Sequence, residues 1–107
     1  MPRSVREVDI EGAVHLDRWS KDLIESGLGG FSLGVAQYFV REFGITQVHD
    51  DQEALYIVSG VCEIRLDEEI IPVGPGTAIY VPPGCKHAAR ITGPEPLKVV
   101  YAHSATS

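Results

Sequence analysis

From Phe31 onward the chain reads as short apolar runs separated by glycine, proline or charge, and the runs are rich in β-branched and aromatic residues. That composition suits a pleated, half-buried surface. The pattern predicts strands over 31–40, 53–59, 61–67, 70–73, 77–81, 86–92 and 97–102. Turn sequences divide them, among them Ser59-Gly60, Gly74-Pro75-Gly76, Pro82-Pro83-Gly84 and Gly93-Pro94-Glu95-Pro96. Val61 to Asp67 alternates strictly, with Cys62, Ile64 and Leu66 on one face and Glu63, Arg65 and Asp67 on the other. Ala54 to Val58 is apolar on both faces and needs a cover, either the N-terminal arm or a second subunit. Before residue 31 the spacing changes. Leu16, Trp19, Leu23 and Ile24 fit one face of a short amphipathic helix, closed by Gly27, Gly29 and Gly30. Many short strands with one minor helix favour an all-β barrel over βαβ units. The expectation is a helical arm over 1–30 and a barrel over 31–107.

Composition narrows the class. A chain of 107 residues has room for one core. Nine Lys and Arg against fifteen Asp and Glu give a net charge of −6 without a basic cluster, which argues against nucleic acid as a partner. No apolar run approaches the roughly 20 residues of a membrane span, and no h-region follows Arg3 and Arg6. Two cysteines are too few for a secreted disulfide scaffold, so the reading is a cytoplasmic protein with reduced thiols.

The candidate chemistry lies at His49, Glu53 and His87. The first two are four positions apart at the start of a strand, so their side chains share a face, as does Gln47. His87 opens a later strand after the Pro82-Pro83-Gly84 turn. Two neutral imidazoles and a carboxylate form the facial set that suits a divalent transition metal, Fe(II) above all, with positions left open for substrate or oxygen.

On these residues the sequence resembles the cupin superfamily, small double-stranded β-helix (jelly-roll) barrels with two short motifs. The second motif, Gly, five residues, Pro, one residue, Gly, two residues, His, is matched in register by Gly76, Pro82, Gly84 and His87, with Ile91 in place of the closing Asn. The first is matched by His49, Glu53 and Gly60, while Gln47 stands for its first His and Arg41 for its leading Gly. The resemblance implies metal binding by His49, Glu53 and His87, with Gln47 as a fourth ligand or a neighbouring donor. Without Gln47 the set is similar to the two-His-one-Glu arrangement of iron-dependent cupin oxygenases. Isomerase and lyase chemistry, and Mn, Ni, Co or Zn as the ion, also belong to such barrels. So does a non-catalytic, sensor-like cupin that binds a small molecule.

The remaining residues read more plainly. Gly60, Gly76 and Gly84 are turn positions with positive φ. Cys62 is core, and Cys85 is a loop thiol beside the site. His103 and His15 read as solvated, and Arg65 and Arg90 as surface ion-pair partners. A pocket for a small-molecule substrate draws on Trp19, Phe31, Leu33, Val35, Gln37, Tyr38, Tyr56 and Tyr80. Tyr56 and Tyr80 are the candidate acid or base groups. The uncovered strand makes a homodimer the expected assembly.

Overall fold

The computed structural model describes residues 3–106. After one 3-10 turn (Glu7–Asp9) it contains nine strands: β1 (Ala13–Val14), β2 (Arg18–Glu25), β3 (Ser32–Tyr38), β4 (Gln52–Ser59), β5 (Cys62–Leu66), β6 (Glu69–Val73), β7 (Ala78–Val81), β8 (His87–Ile91) and β9 (Leu97–Ser104). All pairings are antiparallel. A six-stranded sheet in the order β1-β2-β3-β9-β4-β7 packs against a three-stranded sheet in the order β6-β5-β8. The result is a β-sandwich consistent with a jelly roll.

The core forms where the alternating faces of the two sheets meet. Ile57, Leu97, Val81, Val99 and Cys62 are its largest fully buried side chains. Ile64, Ile91 and Ala89 of the smaller sheet pack against Leu55, Ile79 and Ala36 of the larger. The turn glycines Gly60, Gly76 and Gly84 have φ of 89°, 84° and 76°. At Gly60 a side chain would also run into the backbone of Pro96 and Leu97, so both space and dihedral require glycine.

The N-terminal helix expected around Leu16, Trp19, Leu23 and Ile24 is absent: β2 occupies that stretch and pairs along its length with β3. A spacing of four is even as well as helical, so Trp19 and Leu23 fit a strand face equally well. The register slips between Asp22 and Ile24, and at this bulge adjacent Leu23 and Ile24 are both half-buried. The free edge of β3 supplies backbone partners that an isolated ten-residue helix would lack.

The arm does not cover β4. Its segment around Glu7 is held at β2 and β9, where Lys21 Nζ donates to the Glu7 carbonyl and Lys98 Nζ pairs with the Glu7 carboxylate. Ala54, Tyr56 and Val58 remain exposed on the outer face of the sheet.

Candidate metal centre

Four side chains, from a loop and three strands, meet inside one end of the sandwich. Glu53 opens β4 and is only 7 % exposed. His49 precedes it in the loop that leads into the strand, His87 is the first residue of β8, and His103 lies near the end of β9 directly opposite Glu53 in the ladder. Gln47 and His87 exchange backbone hydrogen bonds at 2.9 Å in both directions, which fixes the loop against β8.

Three imidazole edges converge on one carboxylate. His49 Nε2 and His87 Nε2 lie 3.1 and 3.2 Å from Glu53 Oε1, and His103 Nε2 lies 3.1 Å from Oε2. The ligand atoms of His49, Glu53 and His103 all fall within 4.8 Å of one another. The opposite edges of two of the rings are hydrogen-bonded as well. His87 Nδ1 meets the Cys85 carbonyl at 3.1 Å, and His103 Nδ1 meets Asp51 Oδ2 at 3.1 Å. His49 Nδ1 faces Asp51 Oδ1 at 2.5 Å but off the line of a hydrogen bond, so both buried atoms lack a partner.

Burial would raise the Glu53 carboxyl, but hydrogen bonds and charge from His103 and His87 outweigh it and hold the group at about 2. The hydrogen bond to Glu53 lifts His103 to about 9 against the effect of burial. Burial lowers His87, yet Glu53 and the Cys85 carbonyl carry it upward on balance. The cluster therefore favours positive charge at the point where the Nε2 atoms meet. Three imidazoles and a carboxylate are a donor set for a divalent transition ion.

The cluster opens onto a cavity of about 240 Å³. Its walls carry His87, Glu53, His103 and Gln47 together with Arg18, Ser20, Asp22, Tyr38 and Tyr101. Burial pushes the Tyr38 phenol up to about 12. Tyr101 is also raised, by burial and by its hydrogen bond to Asp22 Oδ1 at 2.6 Å. Arg18 donates to Asp17 Oδ1 at 2.8 Å and lies over the Tyr38 ring.

Several sequence expectations need correction here. Tyr56 and Tyr80, the candidate acid or base groups, project from the outer face of the sheet and are about half exposed, because their neighbours Leu55, Ile57, Ile79 and Val81 take the inward positions. Trp19, Phe31, Leu33, Val35 and Gln37 also lie outside the cavity, and of the expected pocket set only Tyr38 lines it. The even-numbered side of β3 faces inward. His103, read as solvated, belongs to the cluster, and His15 lines the cavity with Nε2 3.1 Å from Ser20 Oγ. Parity could have found His103, since Leu97, Val99, Tyr101 and His103 occupy alternate positions of one strand. Arg18, Ser20 and Asp22 were hidden because the polar side of an assumed helix reads as its solvent side. Gln47 faces the cavity beside Tyr38. Cys85 is buried, and burial with Asp67 nearby raises its thiol, which keeps it protonated.

Residues 41–103 match the family model described as a cupin domain. The chain belongs to the cupin family. Solved structures share its fold. An RmlC-like cupin from Shewanella frigidimarina superposes with a TM-score of 0.84 at 16% identity, covering 99% of this chain and 93% of that one. The polyketide cyclase RemF from Streptomyces resistomycificus gives 0.80 at 18% identity, over 97% of this cupin and 80% of the cyclase. Fe(II)-HppE gives 0.82 at 11% identity, over 94% of this cupin and 58% of HppE. A comparison of the sequence with curated proteins gives no match. Among the described residues no helix is long and apolar enough to cross a membrane.

Proposed function

We propose that this cupin is a metal-dependent protein acting on a small molecule, with a divalent ion held by Glu53 and the Nε2 atoms of His49, His87 and His103. The observation that carries the reading is the convergence of three Nε2 atoms on one carboxylate at 3.1 to 3.2 Å. His103, from β9, joins the two motif histidines at Glu53, so the set grows from two histidines to three. Iron is the favoured ion and an oxygenase the favoured activity. Four protein ligands leave positions open on a six-coordinate ion, and the fold is shared with an Fe(II) protein.

When bound, such an ion supplies Lewis acidity and, as iron, redox capacity. The chain's own groups do the rest. Glu53 offsets the ion's charge, and the Cys85 carbonyl fixes the His87 ring by its Nδ1 edge. Tyr38 and Tyr101 stay protonated at neutral pH, so they act as hydrogen-bond donors that orient a polar ligand. Arg18 supplies the cavity's guanidinium, and Leu55, Val99 and Ala36 give it apolar wall that excludes water.

The raised phenols favour a second reading, a non-catalytic cupin that binds a small molecule, over isomerase or lyase chemistry that needs a base. Anaerobic Fe(II) titration followed by oxygen uptake in the presence of pooled small acids and sugars separates the two. One tightly held iron per chain with uptake supports the oxygenase, and iron without uptake supports the binding module. A protein that retains none of Fe, Mn, Ni, Co or Zn overturns both. The two free cysteines suit the cytoplasmic setting of this reading. A second copy of the chain over the exposed outer face of β4 completes it.

A further inference from the structure

We infer that Asp51 is the positioning residue of the metal centre, a single carboxylate that hydrogen-bonds the His103 ring and meets the His49 ring in an ion-pair contact, each at its Nδ1 edge, so that both Nε2 atoms turn toward one point. The inference rests on the metal reading above.

The geometry is two-sided. Asp51 Oδ1 faces His49 Nδ1 at 2.5 Å and Oδ2 lies 3.1 Å from His103 Nδ1. On the far side of the rings, the two Nε2 atoms lie 3.1 Å from the two oxygens of Glu53, one each. The imidazoles thus stand side by side between two carboxylates, with ring centroids 5.0 Å apart. An imidazole with a carboxylate at Nδ1 keeps its proton there and leaves the Nε2 lone pair for a metal, and the anion also raises the ring's basicity. His49 belongs to the loop before β4, whereas His103 comes from β9, so the two rings have no covalent reason to share an orientation. Asp51 supplies one. Gln52 secures the same junction, with Nε2 donating to Ser104 Oγ at 3.0 Å.

Neighbouring Asp50 provides the contrast. It is exposed, and among the described residues it forms no ion pair or hydrogen bond with an imidazole. Charge near the site would make the two acids equivalent, whereas positioning singles out Asp51.

The test compares cobalt(II) binding by the full chain and by Asp51→Asn, Asp51→Ala and Asp50→Asn, read by competition with a chromophoric chelator and by the cobalt visible spectrum. Loss of such a partner typically weakens metal binding by about 10- to 100-fold. The expected order is therefore wild type and Asp50→Asn together, then Asp51→Asn, then Asp51→Ala, with altered cobalt bands in both Asp51 variants. Asp51 variants that match wild type in affinity and spectrum overturn the inference while leaving the metal reading intact. A wild-type protein that takes up no cobalt overturns both. A second measurement needs no variant. In the zinc-loaded, ¹⁵N-histidine-labelled protein the His49 and His103 rings should carry their protons on Nδ1, and a proton on Nε2 of either ring contradicts the assignment.

Discussion

Glu53 is an anion buried almost completely, a placement that costs several kcal/mol unless charge and hydrogen bonds answer it. In the metal-free protein the histidines provide that answer, and the pH dependence follows. His103 is raised from 6.5 to about 9, so its contribution to stability is full below pH 6.5 and fades as pH rises through 9. Glu53 is lowered from 4.5 to about 2, so its contribution is full above pH 4.5 and fades as pH falls toward 2. Urea unfolding of the metal-free protein should show the cluster's greatest contribution between pH 4.5 and 6.5, with a decline on either side. Metal binding runs the other way at the alkaline end, because His103 must lose its Nε2 proton to serve as a ligand. Cobalt affinity should therefore climb between pH 6.5 and 9 in wild type, and more steeply than in His103→Ala, whose affinity should also be at least tenfold lower at pH 8. The spacing of His49, Glu53 and His87 was legible because each is tied to a turn or strand start. For His103 parity along β9 gives its face but no turn marks it, and its relation to Glu53 exists only through the β4–β9 ladder.

Strands β3 to β9 could be read directly, since each is short, β-branched and fenced by glycine, proline or charge. β2 could not. Its four-residue apolar spacing serves helix and strand alike, and what decides between them is the edge of β3, which is not local information. The bulge between Asp22 and Ile24 further breaks the alternation that would have revealed a strand. A consequence for function is that Arg18, Ser20 and Asp22 form a cavity wall instead of a solvent face. Gly34 shows how tightly that wall is built, since a Cβ there would run into the Tyr101 ring and the Lys21 carbonyl. Gly34→Ala should destabilise the protein by about 1–3 kcal/mol in urea unfolding, through overpacking. Ile57→Ala, at a fully buried position of β4, should cost about 2–5 kcal/mol by the opposite route, a cavity.

At the scale of the molecule, the two-faced apolar run of β4 is half accounted for. Leu55 and Ile57 enter the core, while Tyr56 and Val58 stay exposed, as do Tyr80 and Phe31. The arm, held at β2 and β9, leaves them bare, which is why a second copy remains the proposed cover. Light scattering should return about twice the chain mass of 11.6 kDa, and a value near 11.6 kDa would contradict the dimer. Tyr56→Glu should shift the mass toward the monomer. The centre itself lies at the other end of the argument, inside the sandwich, where loop, β4, β8 and β9 bring their side chains to one point. Anomalous diffraction from crystals grown with cobalt(II) tests that point most directly. The account predicts one peak per chain, about 2.0–2.2 Å from Glu53 and from the Nε2 atoms of His49, His87 and His103. Well-ordered crystals with no peak there, or with the metal bound elsewhere, would contradict it.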